Sequence, residues 1–248
     1  MDFTFGIITG GGEELKIFQI IESIEKQNIS NFEIIVVGDC NIENKNLIKI
    51  QFDENIKSMW ISKKKNIITD NAKYNNIVYL HDYVKLEDGW YNGFLNYGDD
   101  WNICMTKIIN NDNSRFRDWC LWSDDGKNII PNYDSGRNLL PYNLTHLSKA
   151  MYISGAYWIS KKIVMEKYKF DERLGWAQGE DVEWSIRVRD EYDFNMNENS
   201  TVKLLKHKWH GQIPLNDNEV NILINTKDYN RNKETYKKLL ENHLKNYI

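Results

Sequence analysis

Two short runs of the chain limit what it can fold into. Phe32–Val37 and residues 77–80 are apolar almost throughout, without the alternation of a half-exposed strand, and each stops at a polar pair carrying an acid, Gly38-Asp39 and His81-Asp82. A strand of that kind is covered on both faces, as in the parallel sheet of an α/β protein. The opening of the chain fits the same plan. Residues 3–9 are β-rich and end in Gly10-Gly11-Gly12, after which Ile17, Ile20, Ile21 and Ile24 recur at helical spacing up to Gln27. Strand, glycine turn, helix and buried strand make a βαβ unit. In open α/β sheets ligands bind where the strands end and the helices begin, so Asp39, His81 and Asp82 are expected at the mouth of a site.

Further along, residues 87–97 can form a helix, and residues 110–147, rich in Asn, Asp, Ser and Trp, read as an insertion of loops and short strands over the site. Residues 151–160 return to strand-like composition and 161–169 suit a short helix. Residues 180–192 carry Val182, Ile186 and Arg189 at helical steps, which puts Glu180-Asp181 at a helix N-terminus. Residues 201–205 look like a strand leading into His207-Lys208-Trp209-His210. Residues 232–247 form a Lys-rich amphipathic pattern with Tyr236, Leu239, Leu240, Leu244 and Tyr247 on one side, expected to pack against the body.

At 248 residues one large α/β domain with a small appendage is the expected size class, and 32 basic against 36 acidic side chains leave a formal charge of −4. That balance argues against a nucleic-acid partner, which needs a basic surface. No run of 18 apolar residues exists and no basic leader precedes residue 3, so neither a membrane span nor a secretory signal is expected. Cys40, Cys104 and Cys120 are odd in number and lack metal-binding spacing, which suits reduced thiols in a cytoplasm. The triple glycine lacks both the P-loop Lys and the G-x-G-x-x-G spacing, and is better suited to a sharp turn that lets a flat ligand approach the backbone.

Three blocks then occur in an order that resembles a known family. Phe5-Gly6-Ile7-Ile8-Thr9 followed by Glu33 to Asp39, Lys64-Lys65-Asn66 followed by Ala72, residues 77–84 and Gly89-Trp90, and finally Ser154-Gly155-Ala156 with Gly179-Glu180-Asp181-Val182-Glu183-Trp184, look like the GT-A glycosyltransferases, family 2 in particular. The last block is similar to the G-E-D-x-E acceptor motif of galactosyltransferase relatives. The resemblance covers roughly residues 3 to 190 and implies a Rossmann-like, mostly parallel central sheet flanked by helices over 1–210, with a nucleotide half (about 1–100), an acceptor half (about 101–210), and a C-terminal helical extension over 211–248.

The resemblance implies a glycosyltransferase of the hexosyl or deoxyhexosyl type, taking a UDP-, GDP- or dTDP-linked donor and a glycan acceptor, in the cytoplasm or peripheral to a membrane. Thr9, Gly10, Gly11, Asp39, Lys64, Asn66, His81 and Asp82 would bind the donor. Gly155, Trp176 and Trp184 would line the acceptor side, the two tryptophans serving as sugar platforms or else as core. Asp181 would be the general base of an inverting displacement, with Glu180 binding or orienting the acceptor. Mn²⁺ or Mg²⁺ would neutralise the departing diphosphate, held by Asp82 with His207 or His210. The sequence departs from the family here, because His81 and Tyr83 flank Asp82 where a D-x-D motif places carboxylates. Lys63, Lys64 and Arg187 could neutralise diphosphate instead. A degenerate domain that binds without turnover and, less favoured because Glu13-Glu14 follow the glycines, a sugar nucleotidyltransferase are the alternatives.

Overall fold

The computed structural model describes residues 1–121, 138–145, 151–208, 213–214, 216 and 218. β1 (Phe3–Ile8), β2 (Phe32–Val37) and β4 (Asn76–His81) pair in parallel, with β3 (Leu47–Ile50) outside β2. Helix α1 (Glu14–Glu25) makes the first crossover and α2 (Ile61–Asn71) the second. The sheet continues through β10 (Tyr157–Lys161), β6 (Ile103–Ile109), β11 (Phe194–Leu204) and β5 (Val84–Leu86), giving the order β3-β2-β1-β4-β10-β6-β11-β5. Only β10 and β5 run against the other strands. β7 (Cys120–Leu121), β8 (Asn138–Leu139), β9 (Met151–Tyr152) and β12 (Ile213–Pro214) form a separate small sheet.

The runs that lack alternation are buried on both sides. Phe3, Phe5, Ile7, Ile34, Val36, Val78 and Leu80 pack with α1 and with Trp90 and Phe94 of α3 (Trp90–Tyr97). Ile35, Val37, Ile77 and Tyr79 face the opposite layer, where Ile68 of α2, Val164 and Met165 of α4 (Lys162–Lys167), and Trp184 and Val188 of α5 (Glu180–Val188) complete a second core. Neighbouring residues of one strand thus serve different layers, as period-two geometry requires. The three cysteines are free and buried, and among the described residues no helix is long and apolar enough to cross a membrane.

Two features position the site. At Gly38, φ is +131°, and a Cβ there would lie 2.2 Å from the Thr9 carbonyl oxygen, so only glycine lets the ends of β1 and β2 meet. In β11 the register against β6 jumps from Asn197 opposite Thr106 to Thr201 opposite Lys107, leaving residues 198–200 as a bulge. The bulge sits on α3: Ser200 Oγ donates to the Trp90 carbonyl at 2.7 Å. A Cβ at Gly93 would come within 2.5 Å of the Asn199 carbonyl oxygen.

The strand expected at 201–205 is therefore the end of a longer one, and the stretch 151–160 divides into β9 and β10. The expected C-terminal helix lies outside the described residues.

Candidate active site

The carboxyl ends of β1 and β4 open together. Asp82 leaves β4 with its N–H on the Ile8 carbonyl at 3.2 Å, next to Thr9, whose hydroxyl accepts the Gly11 N–H at 3.0 Å. Asp39 lies exposed beside Gly11, where an added Cβ would touch its own Cβ at 3.3 Å. Lys64 of α2 is buried behind this turn, donating to the Thr9 carbonyl at 2.5 Å and pairing with Glu54.

Two cavities share a wall here. One, of about 280 Å³, lies over Thr9, Gly10, Lys64, Asp82, Lys206 and Lys208. The other, of about 350 Å³, lies over Arg117, Gly155, Gly179, Glu180 and Asp181. Ile61, His81, Tyr83, Trp176 and Lys208 border both, so the pair forms one bent cleft.

The second lobe carries a pair of acids, with Arg117 and Lys208 also on its wall. Gly179, at φ +73°, turns the chain into α5 and presents Glu180 and Asp181 on the first turn, where the helix dipole favours negative charge. Asp181 Oδ2 accepts the Gly155 N–H at 3.0 Å and lies 3.8 Å from the Arg117 guanidinium. Glu180 Oε1 accepts from Lys65 at 3.3 Å. That ammonium is buried against the rings of Trp158 and Phe170, at 4.7 and 4.9 Å from their centroids. Burial holds the Glu180 carboxyl above the ordinary glutamate range, with Lys65 opposing the shift. A Cβ at Gly155 would meet Asp181 Oδ2 at 2.9 Å and Glu180 Oε1 at 3.0 Å, so a larger residue there would push both carboxylates aside.

The first lobe is cationic. Tyr83, which follows Asp82, is buried, and the ammonium groups of Lys206 and Lys208 stand 4.0 and 4.1 Å from its ring centroid. Lys208 also donates to the Tyr83 hydroxyl. The segment is fixed at both ends, by the Leu205 N–H on the Tyr83 carbonyl at 2.8 Å and the Lys208 N–H on Asn110 Oδ1 at 3.0 Å. Burial, with Lys206 and Arg117 nearby, lowers the Lys208 pKa to about 8. Burial and the ammonium groups of Lys65, Lys208 and Lys206 depress the His81 pKa well below the histidine range, leaving a neutral ring. Burial raises the Asp82 pKa, against a hydrogen bond from Thr9.

Several expected residues fall elsewhere. Trp184 is in the core, stacked between Phe170 and Phe194, with its indole N–H on the Tyr168 carbonyl at 2.6 Å, so it cannot be a sugar platform. Trp176 is 54 % exposed on the wall between the lobes and keeps that possibility. Asn66 is buried and ties α2 to the Phe170 backbone, donating to its carbonyl at 3.0 Å and accepting its N–H at 2.9 Å, and it lines neither cavity. His207 points away from Asp82, toward Asn111 at 3.2 Å and Asp112 at 3.9 Å. His210 lies outside the described residues. Lys63 pairs with Glu172 and Arg187 with Glu183, and neither lines the cleft. Arg117, Lys65, Lys206 and Lys208 are the charged residues that motif reading missed.

The sequence matches no protein-family model and no curated protein sequence. The architecture does have relatives. It superposes on S. aureus TarS with a TM-score of 0.56 at 15 % identity, over 82 % of this chain and 36 % of that one. Against residues 1–349 of S. aureus TarS in complex with UDP-GlcNAc the TM-score is 0.55 at 13 % identity, over 85 % and 60 %. Against GalNAc-T7 with UDP, GalNAc and Mn²⁺ it is 0.56 at 12 % identity, over 86 % and 45 %. These relatives are GT-A glycosyltransferases, and the chain has the GT-A fold. It spans at most three-fifths of their length, with a coverage of 60 % in the fullest of the three.

The Mn²⁺ of GalNAc-T7 raises the question of fit. Among the described residues no three His, Cys, Asp or Glu side chains come together as a metal site. Asp82 stands between a neutral imidazole and a tyrosine, with two ammonium groups on the same side. Among the described residues, then, one carboxylate faces two ammonium groups, whose like charge opposes a divalent cation at the same place.

Proposed function

We propose that this protein is a glycosyltransferase that moves a sugar from a nucleoside-diphosphate donor to a glycan hydroxyl, with inversion, for glycan assembly. The observation that carries the reading is the arrangement of charge along the bent cleft, with two carboxylates at the N-terminus of α5 at one end, Lys206 beside Asp82 at the other, and Lys208 on the wall between them. A donor laid along it has its diphosphate in the cationic lobe, its nucleoside toward Thr9, Gly10, Gly11 and Asp39, and its anomeric carbon near Trp176.

The acceptor hydroxyl enters the acidic lobe and attacks that carbon from the face opposite the phosphate. The bond from the anomeric carbon to the phosphate oxygen breaks with its electron pair on the phosphate, and the hydroxyl proton passes to Asp181. Asp181 suits the role because the Gly155 N–H and Arg117 fix its carboxylate at the cavity wall. Glu180, bound to Lys65, is placed to hold an acceptor hydroxyl. The two intact carboxylates favour turnover over binding alone.

The test is transfer and hydrolysis from UDP-, GDP- and dTDP-sugars by the wild type and by Asp181→Asn. Turnover of at least one donor that is lost in the variant, with donor binding kept, is the expected result. Equal turnover by both proteins would remove Asp181 from the mechanism, and binding of no donor would remove the function.

A further inference from the structure

The donor lobe is built around charge of the sign a metal would bring. Lys64 is already matched by Glu54, so among the described residues the charges left in this lobe are the ammonium groups of Lys206 and Lys208 and the carboxylate of Asp82. The two lysines are not loose surface groups. Their segment is anchored at Leu205 and Lys208 by backbone hydrogen bonds of 2.8 and 3.0 Å, and both ammonium groups lie within 4.1 Å of one buried ring centroid. Tyr83 supplies a π face to both and a hydroxyl to Lys208, which holds two like charges together without neutralising either. Among the described residues these two ammonium groups have only the Asp82 carboxylate facing them in the lobe, and two phosphate groups linked as a diphosphate would supply the matching charge.

We propose that Lys206 and Lys208, braced on Tyr83, hold the diphosphate of the donor and stabilise it as it leaves, in place of a divalent cation. This rests on the glycosyltransferase reading above and specifies how its leaving group is held. Among the described residues, the side chains that a metal would require are replaced or turned away. Tyr83 stands where a carboxylate would, with two ammonium groups over its ring, and His207 faces Asn111. Lys206 and Lys208 flank His207 in sequence, and their side chains take the inner face while the imidazole takes the outer one. A preorganised pair of cations costs no reorganisation as charge develops on the leaving oxygen.

The experiment is calorimetric binding of UDP, GDP and dTDP, with the corresponding monophosphates, to the full chain in excess EDTA and in Mn²⁺. Variants Lys206→Met, Lys208→Met, Asp82→Asn and, as a control away from the lobe, Lys203→Met are compared, with thermal unfolding to confirm that each is folded. At least one diphosphate should bind in EDTA with an affinity within about threefold of that in Mn²⁺. Each lobe lysine variant should weaken it by roughly 10- to 100-fold, the range for a hydrogen bond to a charged group, and should weaken the monophosphate less. Lys206 is the more exposed of the two, so its variant serves if Lys208→Met fails to fold. Binding that needs Mn²⁺ and is lost in Asp82→Asn, or binding in EDTA that ignores both lysines, would overturn the proposal and leave the glycosyltransferase reading standing. No binding of any diphosphate in either condition would overturn both.

Discussion

The two lobes of the cleft solve opposite electrostatic problems by different means. The acidic lobe is held by the backbone of rigid elements: Glu180 and Asp181 start a helix, and a glycine N–H, the buried Lys65 and the half-buried Arg117 fix them. The cationic lobe is held by side chains on the segment that follows a bulged strand, braced on one tyrosine ring. Negative charge at a helix start gains from the dipole, whereas clustered ammonium groups need an aromatic face or an anion. The acidic lobe is therefore complete without a ligand, and the cationic lobe is completed by one.

The sharpest way to break that contrast is Asp181→Asn, which keeps the shape of the acidic lobe and removes its proton acceptor. Transfer should fall by about 10² to 10⁴ in kcat with little change in donor affinity, measured by single-turnover kinetics and binding side by side. Next comes Gly155→Ala, whose methyl group would displace both carboxylates by a few tenths of an ångström. A drop of about 10² in kcat is expected with the melting temperature nearly kept, because flexible side-chain ends give way more easily than backbone.

Smaller effects fall on the donor side. Asp39→Ala should weaken nucleotide binding by about 1.5 kcal/mol, roughly tenfold, since Asp39 is exposed and contributes one charged hydrogen bond. The smallest is a pH effect. Lys208 must be protonated to bind diphosphate, and its pKa is lowered to about 8 among Lys206, Arg117, Asp82, Glu180 and Tyr83. Diphosphate affinity should be level below pH 7, about halved at pH 8, and continue to fall toward pH 9, a decline that Lys208→Met should abolish. A flat profile in the wild type would show that the ammonium is not titrating in the free protein.

The first part of the chain was largely legible because buried parallel strands leave continuous apolar runs: β1, β2 and β4 lie within one residue of their expected bounds, and α1 ends two residues before its expected end. Helix α2 was not recognised. Its inward positions Ser62, Lys65, Asn66 and Thr69 are polar, and each is satisfied by a distant group: Leu174, Glu180, Phe170 and Tyr79 respectively. Hydrophobic spacing cannot reveal a helix whose buried face is hydrogen-bonded across the fold. The same long-range satisfaction explains why Asn66 looked like a ligand contact and Trp184 like a platform. His207 is the residue type that the resemblance implies as a ligand, but the direction of its side chain depends on how the segment after β11 is anchored, which local sequence does not carry.

That direction traces back to the bulge at residues 198–200. Three unpaired residues are an odd number, so every side chain after them points to the face opposite the one that uninterrupted pairing would choose. The bulge in turn fits only because Gly93 leaves room under Asn199 and Ser200. A hydrogen atom in place of a methyl group at Gly93 thus sets the phase of β11 up to Leu204, from which the Leu205 and Lys208 backbone hydrogen bonds carry the chain on with Lys206 and Lys208 inward and His207 outward. Adding or removing one residue there would exchange two ammonium groups for one imidazole and reverse what kind of cation the cleft can use.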